Sequence, residues 1–207
     1  MDVLTALVVG GIGFGRTAIG LVTRPYETYR RIVSYSRISE LVFVGLFAGI
    51  YFAFASMVKG AAFRPFLFTR QFIVLYAAAA GGYGIAIGSL WLAGVVLRAT
   101  FHLRALFLAW GYTLLPTVAW FLATSLLYVI LPPPRTTSTL GIAFSILFLI
   151  FSATLFWWKM MLSYLTLRFV FKFDLSRIGM ASMIVLPIMA AYSVLMYYWG
   201  IFKIPFL

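Results

Sequence analysis

The chain of 207 residues has no cysteine and one histidine, His102. No cysteine means no disulfide, no thiolate nucleophile and no cysteine-ligated metal or cluster. A single histidine excludes a multi-histidine zinc site or a bis-histidine haem within one chain. Acidic residues are almost as scarce: Asp2, Glu27, Glu40 and Asp174 are the only four. None lies inside a long apolar run, whereas ion-coupled carriers place ionisable groups at membrane depth. No catalytic triad motif surrounds His102, which is expected in a short loop between Arg98 and Arg104. The expectation is a non-enzymatic protein with no bound metal, haem or nucleotide.

Charge is low altogether, 10% of residues, while 64% are hydrophobic. Soluble domains are roughly a quarter charged, and a mean hydropathy of +1.07 points to an integral membrane protein. The formal charge of +12 is not a nucleic-acid signal. The sixteen Lys and Arg residues punctuate apolar runs rather than cluster on one polar face.

A hydrocarbon core of roughly 30 Å takes about 20 apolar helical residues. Charge-free stretches of that length predict five spans: 41–58, 71–97, 105–131, 136–158 and 178–202. Pro132, Pro133 and Pro134 close the third span in a stiff turn. The expected fold is therefore all-α, a single membrane domain over 1–207 with one or two N-terminal interfacial helices in segment 1–38. Lys and Arg accumulate on alternate connections, eleven against five, and cytoplasmic loops carry the excess. The N-terminus is expected in the cytoplasm, and the C-terminus outside.

Residues 3–22 are long enough to cross once. Arg16 interrupts them, and Gly10, Gly11, Gly13, Gly15 and Gly20 weaken the helix. A weakly polar stripe (Thr5, Gly13, Arg16, Gly20, Thr23) favours a helix lying in the interface. A crossing is the alternative.

The basic segment that follows holds Arg24, Arg30, Arg31 and Arg37. Pro25 suits a first helical position. Glu27 is expected to reach Arg30 and Arg31, three and four residues on. Two readings stand side by side: an anchor on anionic headgroups, and a docking helix for a cytoplasmic partner. A second basic element, with Lys159, Arg168 and Lys172, is expected as a short interfacial loop running to Arg177. Asp174 is expected to pair locally with Lys172 or Arg177.

Small residues mark expected helix contacts: Gly45 and Gly49 in span one, and Gly81, Gly84 and Gly88 in span two. Such residues let backbones approach closely in lipid. Pro116 in span three and Pro187 in span five each remove a helical hydrogen bond and are expected to kink or break their helices. Thr113 or Thr117 is expected to satisfy a freed carbonyl.

Two elements resemble the YIP family (Ypt/Rab-interacting proteins) and its prokaryotic relatives. One is Arg24-Pro25 followed by Glu27, Thr28 and Tyr29. The other is Gly111-Tyr112-Thr113-Leu114-Leu115-Pro116. The resemblance covers roughly Arg24 to Phe202 and implies five spans, a cytoplasmic N-terminus and a bacterial inner-membrane location. It supplies no catalytic residues. The short basic N-terminal segment departs from the long tail of the GTPase-binding eukaryotic members. The expected function is a membrane scaffold or accessory subunit that meets anionic lipid and recruits partners at its cytoplasmic face. Other membrane subunits or further copies of the chain are the expected partners. A permease for a lipid or other hydrophobic molecule, alone or with a separate ATPase, is the alternative.

Overall fold

The computed structural model describes residues 3–35, 37–59, 65–130 and 139–201. Asp2, Arg64, the turn at Pro132, Pro133 and Pro134, Arg135 and Lys203 lie outside them. The described residues form eight helices: α1 (Val3–Thr23), α2 (Pro25–Tyr35), α3 (Ser39–Lys59), α4 (Pro65–Val96), α5 (Leu103–Tyr112), α6 (Leu114–Ile130), α7 (Thr139–Val170) and α8 (Leu175–Tyr198). No strand occurs among them. Four segments are long and apolar enough to cross a membrane: Arg70–Val96, Leu103–Leu127, Gly141–Val170 and Leu175–Tyr198. Val8–Thr23 and Ser39–Phe54 are shorter apolar helices. Four to six helices are thus able to span.

Local chemistry explains several boundaries. Arg24 interrupts the first helical stretch because Pro25 disfavours the helical conformation of the residue before it. Pro25 then opens α2, where its missing N–H has no partner to lose. Asp174 caps α8, its carboxylate accepting from the Arg177 N–H at 3.4 Å. Lys172 takes a φ of +57° in the short turn ahead of it.

The structure corrects the expected basic loop after residue 158. α7 continues through Lys159 and Arg168 to Val170, and only residues 171–174 leave the helix before α8. A single lysine among Met160, Met161 and Leu162 does not end a helix, since Lys is itself a good helix former. Its 32 residues reach about 48 Å at 1.5 Å per residue, well beyond a hydrocarbon core.

The two prolines behave differently. Span three is divided between α5 and α6, with Thr113 at the junction. Pro116 cannot donate to the Tyr112 carbonyl four residues back, so the break falls there. Thr113 Oγ1 donates to the Trp110 carbonyl at 2.7 Å. Thr117 Oγ1 is buried with no partner, so it does not serve the freed carbonyl. Pro187, by contrast, lies inside the unbroken helix α8.

Most of the deeply buried side chains gather at one end of the bundle, where α2, α5 and the last turns of α7 meet. Tyr29, Leu106, Ala109, Tyr112, Leu162 and Phe173 are all fully buried there. Elsewhere, large apolar side chains point outward, among them Ile146, Leu149, Ile150 and Trp157 of α7. Such an exterior suits lipid, where an exposed aliphatic side chain loses nothing.

Candidate functional site

Tyr29 fastens α2 to the bundle. It is completely buried and donates to the Ala109 carbonyl of α5 at 3.2 Å. The Thr166 hydroxyl of α7 lies 3.3 Å from its oxygen. Burial pushes the Tyr29 phenol above its ordinary range, and the Thr166 contact pulls weakly the other way. Thr28 and Ile32 bury the same side of α2, leaving Arg30 and Tyr35 exposed. Tyr26 meets Phe169 of α7 edge-on at 4.7 Å.

α1 folds back against α2. A Cβ on Gly20 would stand 2.6 Å from Thr28 Oγ1, and a Cβ on Gly13 would stand 2.8 Å from Glu40 Oε1. Only glycine fits these two approaches without displacing the neighbour. The weakly polar stripe of α1 therefore includes its inward edge, while Ile12, Ile19 and Val22 face outward.

Glu40 is the centre of a buried polar chain. It opens α3 and is only 8% exposed. Its Oε2 accepts from the Tyr112 hydroxyl of α5 and from Thr17 Oγ1 of α1 at 3.3 Å. Thr17 in turn accepts from Arg31 Nη2 of α2 at 3.4 Å. Four helices thus meet through one carboxylate. A buried carboxylate is tolerated when donors satisfy it. Phe14 stacks on Tyr112 beside this chain, with ring centroids 6.1 Å apart.

Above the chain lie two adjoining clefts of ≈ 310 Å³ and ≈ 400 Å³ that share Arg16 and Arg31. Arg37 and Glu40 line the first, and Arg24 and Glu27 the second. Glu27 pairs with Arg24 at 3.8 Å in an exposed ion pair. This corrects the expected pairing with Arg30 and Arg31. Among the described residues, Arg16, Arg31 and Arg37 make no ion pair within 4 Å.

The remaining expected site residues are dispersed. Lys159 is half-buried within α7. Arg168 Nη1 donates to the Phe173 carbonyl at 2.7 Å, bracing the turn before α8. Lys172 is exposed. Asp174 pairs with Arg177 at 4.0 Å, one of the two expected partners. His102 is exposed ahead of α5. No group of three or more His, Asp or Glu converges among the described residues.

The glycines divide. Gly45 and Gly49 face Tyr76 of α4, at 3.4 and 3.6 Å from an added Cβ. Gly81 faces Tyr192 of α8 at 3.4 Å. Gly84 and Gly88 meet nothing within 4 Å among the described residues, so the packing described here does not use them. Closer approaches fall on glycines without an assigned role: Gly82 against Tyr192, Gly94 against Phe101 and Phe171, and Gly111 against Leu41.

Arg16, Thr17, Glu40 and Tyr112 are the site residues that sequence reasoning passed over. A usable signal existed. Arg16-Thr17 interrupts the apolar sequence of α1 between Gly13 and Gly20, which both pack closely. Tyr29 bonds to the Ala109 carbonyl, two residues before Gly111, and Gly111 abuts Leu41 next to Glu40. The chain matches no family model, no curated protein and no solved structure. The class defined by fold and site is an all-α protein, rich in helices able to cross a membrane, with an arginine-lined cleft at one end.

Proposed function

We propose that this protein is a non-enzymatic scaffold or accessory subunit of a bacterial cytoplasmic membrane, akin to the prokaryotic YIP-type proteins. Spans 41–58, 71–97, 105–131, 136–158 and 178–202 cross the bilayer. α1 and α2 lie at the cytoplasmic surface, and the C-terminus lies outside. α2, packed on the start of α5 and the end of α7, forms a rigid layer at the cytoplasmic face that presents Arg24, Arg30, Arg31, Arg37 and Lys172 to partners and headgroups.

The observation that carries this reading is the seat of Tyr29. A fully buried tyrosine bonded to α5 and touching α7 holds α2 in one position, so its arginines are displayed on a fixed surface. Rigid presentation lowers the ordering cost of association. A permease calls for a polar cavity between spans two, three and five. The two clefts described here lie at the α1–α2 corner, beside the arginines that the scaffold reading uses.

Native purification in mild detergent tests the proposal. The wild-type chain is expected to bring down a stoichiometric membrane or cytoplasmic partner. Arg24→Glu combined with Arg30→Glu is expected to lose that partner while the chain stays folded and inserted. Partner recovery unaffected by the double reversal refutes docking through α2.

A further inference from the structure

We propose that the groove between α1 and α2 is a binding site for the phosphate of an anionic phospholipid, held by Arg16 and Arg31. The proposal rests on the surface placement of α1 and α2 given above, and not on partner recruitment.

Three observations converge on it. First, Arg16 and Arg31 come from different helices and line both adjoining clefts. Neither has an ion-pair partner within 4 Å among the described residues. Arginine's planar donor fork matches phosphate geometry, and two such groups facing one space leave a place for an anion. Second, Arg31 is already oriented. Its Nη2 donates to Thr17, which donates to Glu40, whose carboxylate also takes the Tyr112 hydroxyl. Glu40 is thereby satisfied by hydroxyl donors and does not form a salt bridge that would neutralise the arginines. Third, the groove is rimmed by aliphatic side chains that face outward. Ile12 and Ile19 line it and are each 68% exposed. A free phosphate has no use for that rim. A phospholipid does, because its acyl chains lie on the apolar face while its phosphate enters the cleft. Each cleft, at ≈ 310 and ≈ 400 Å³, is within the range of small-ligand sites.

The test uses the full-length chain in mild detergent, with bound lipid counted by native mass spectrometry. The probes are phosphatidylglycerol, phosphatidylcholine and inorganic phosphate. Wild-type protein is expected to retain phosphatidylglycerol at least roughly tenfold more tightly than phosphatidylcholine, the scale set by one charge-assisted contact. Arg16→Gln is expected to remove most of that preference, and Arg16→Gln/Arg31→Gln all of it. Arg98→Gln/Arg104→Gln removes the same charge from exposed positions elsewhere and is expected to keep the preference. Arg16 is exposed, so its single variant should fold even if the double variant does not. Equal retention of the two lipids overturns the proposal. So does an equal loss in the two double variants, which reports diffuse electrostatics. Inorganic phosphate that displaces phosphatidylglycerol at equal concentration assigns the groove to the free anion and overturns the lipid. Failure here with the Arg24/Arg30 result intact leaves the scaffold reading standing.

Discussion

Glu40 illustrates how one residue ties four helices together. Replacing it by Leu leaves the Tyr112 hydroxyl and Thr17 without their shared acceptor. An unsatisfied buried donor costs about 1–3 kcal/mol. Glu40→Leu is therefore expected to lower thermal stability clearly in detergent. Glu40→Gln keeps a carbonyl acceptor for Tyr112 and should fall between the two. Thermal unfolding followed by circular dichroism ranks the three proteins, and a Leu variant as stable as wild type contradicts the role assigned to the carboxylate. Tyr29 works in the same way at the other side of α5. It joins residues 80 and 137 positions apart in sequence, contacts that no local pattern could announce.

The α4–α8 contact shows which small residues matter to a helix pair. These two helices pack more extensively than any other pair. Tyr192 of α8 donates to the Ala78 carbonyl of α4, and its ring fills the space beside Gly82, 2.9 Å from an added Cβ. Gly82→Leu is expected to over-pack this contact, at a cost of typically about 1–3 kcal/mol. Gly84→Leu and Gly88→Leu add a side chain to open space and should leave the isolated chain as abundant and as stable as wild type. Membrane abundance and a detergent melting curve for the three variants check this. Comparable losses at Gly88 and Gly82 contradict the packing described. The spacing of Gly81, Gly84 and Gly88 signals a face but not its neighbour, because glycines three, four or seven apart share a side whatever lies across from it.

Across the whole molecule, burial is concentrated at one end. That end also carries seven of the sixteen cations: Arg16, Arg24, Arg30, Arg31 and Arg37 lie on or beside α1 and α2, and Arg168 and Lys172 lie at the end of α7. In the five-span arrangement proposed above it would be the cytoplasmic end, where water drives apolar burial and anionic headgroups attract cations. A cysteine at Arg135 should react with an impermeant thiol reagent added outside intact cells. A cysteine at Arg168 should react only after permeabilisation, and the reverse pattern refutes the orientation. A cysteine at Asp2 protected like that at Arg168 agrees with α1 lying at the surface; labelling from outside means that it crosses.

Composition and charge-free length by themselves determined that the chain is helical and rich in segments able to span a membrane. Both are properties of contiguous residues. Pro25 and Pro116 marked real helix boundaries because proline acts on its own four-residue neighbourhood. Lys159 misled as a boundary, since one charge in a run of good helix formers leaves the backbone bonds intact. The groove was legible only in part. Arg24, Arg31 and Arg37 stand out as a basic run, but their convergence with Arg16 on one space was decided by the fold-back of α1 at Arg24-Pro25. The role of Glu40 was decided by tertiary structure alone. A carboxylate at a helix start reads as a solvated end-cap, and only the arrival of Tyr112, Thr17 and Gly13 from distant segments makes it a buried centre.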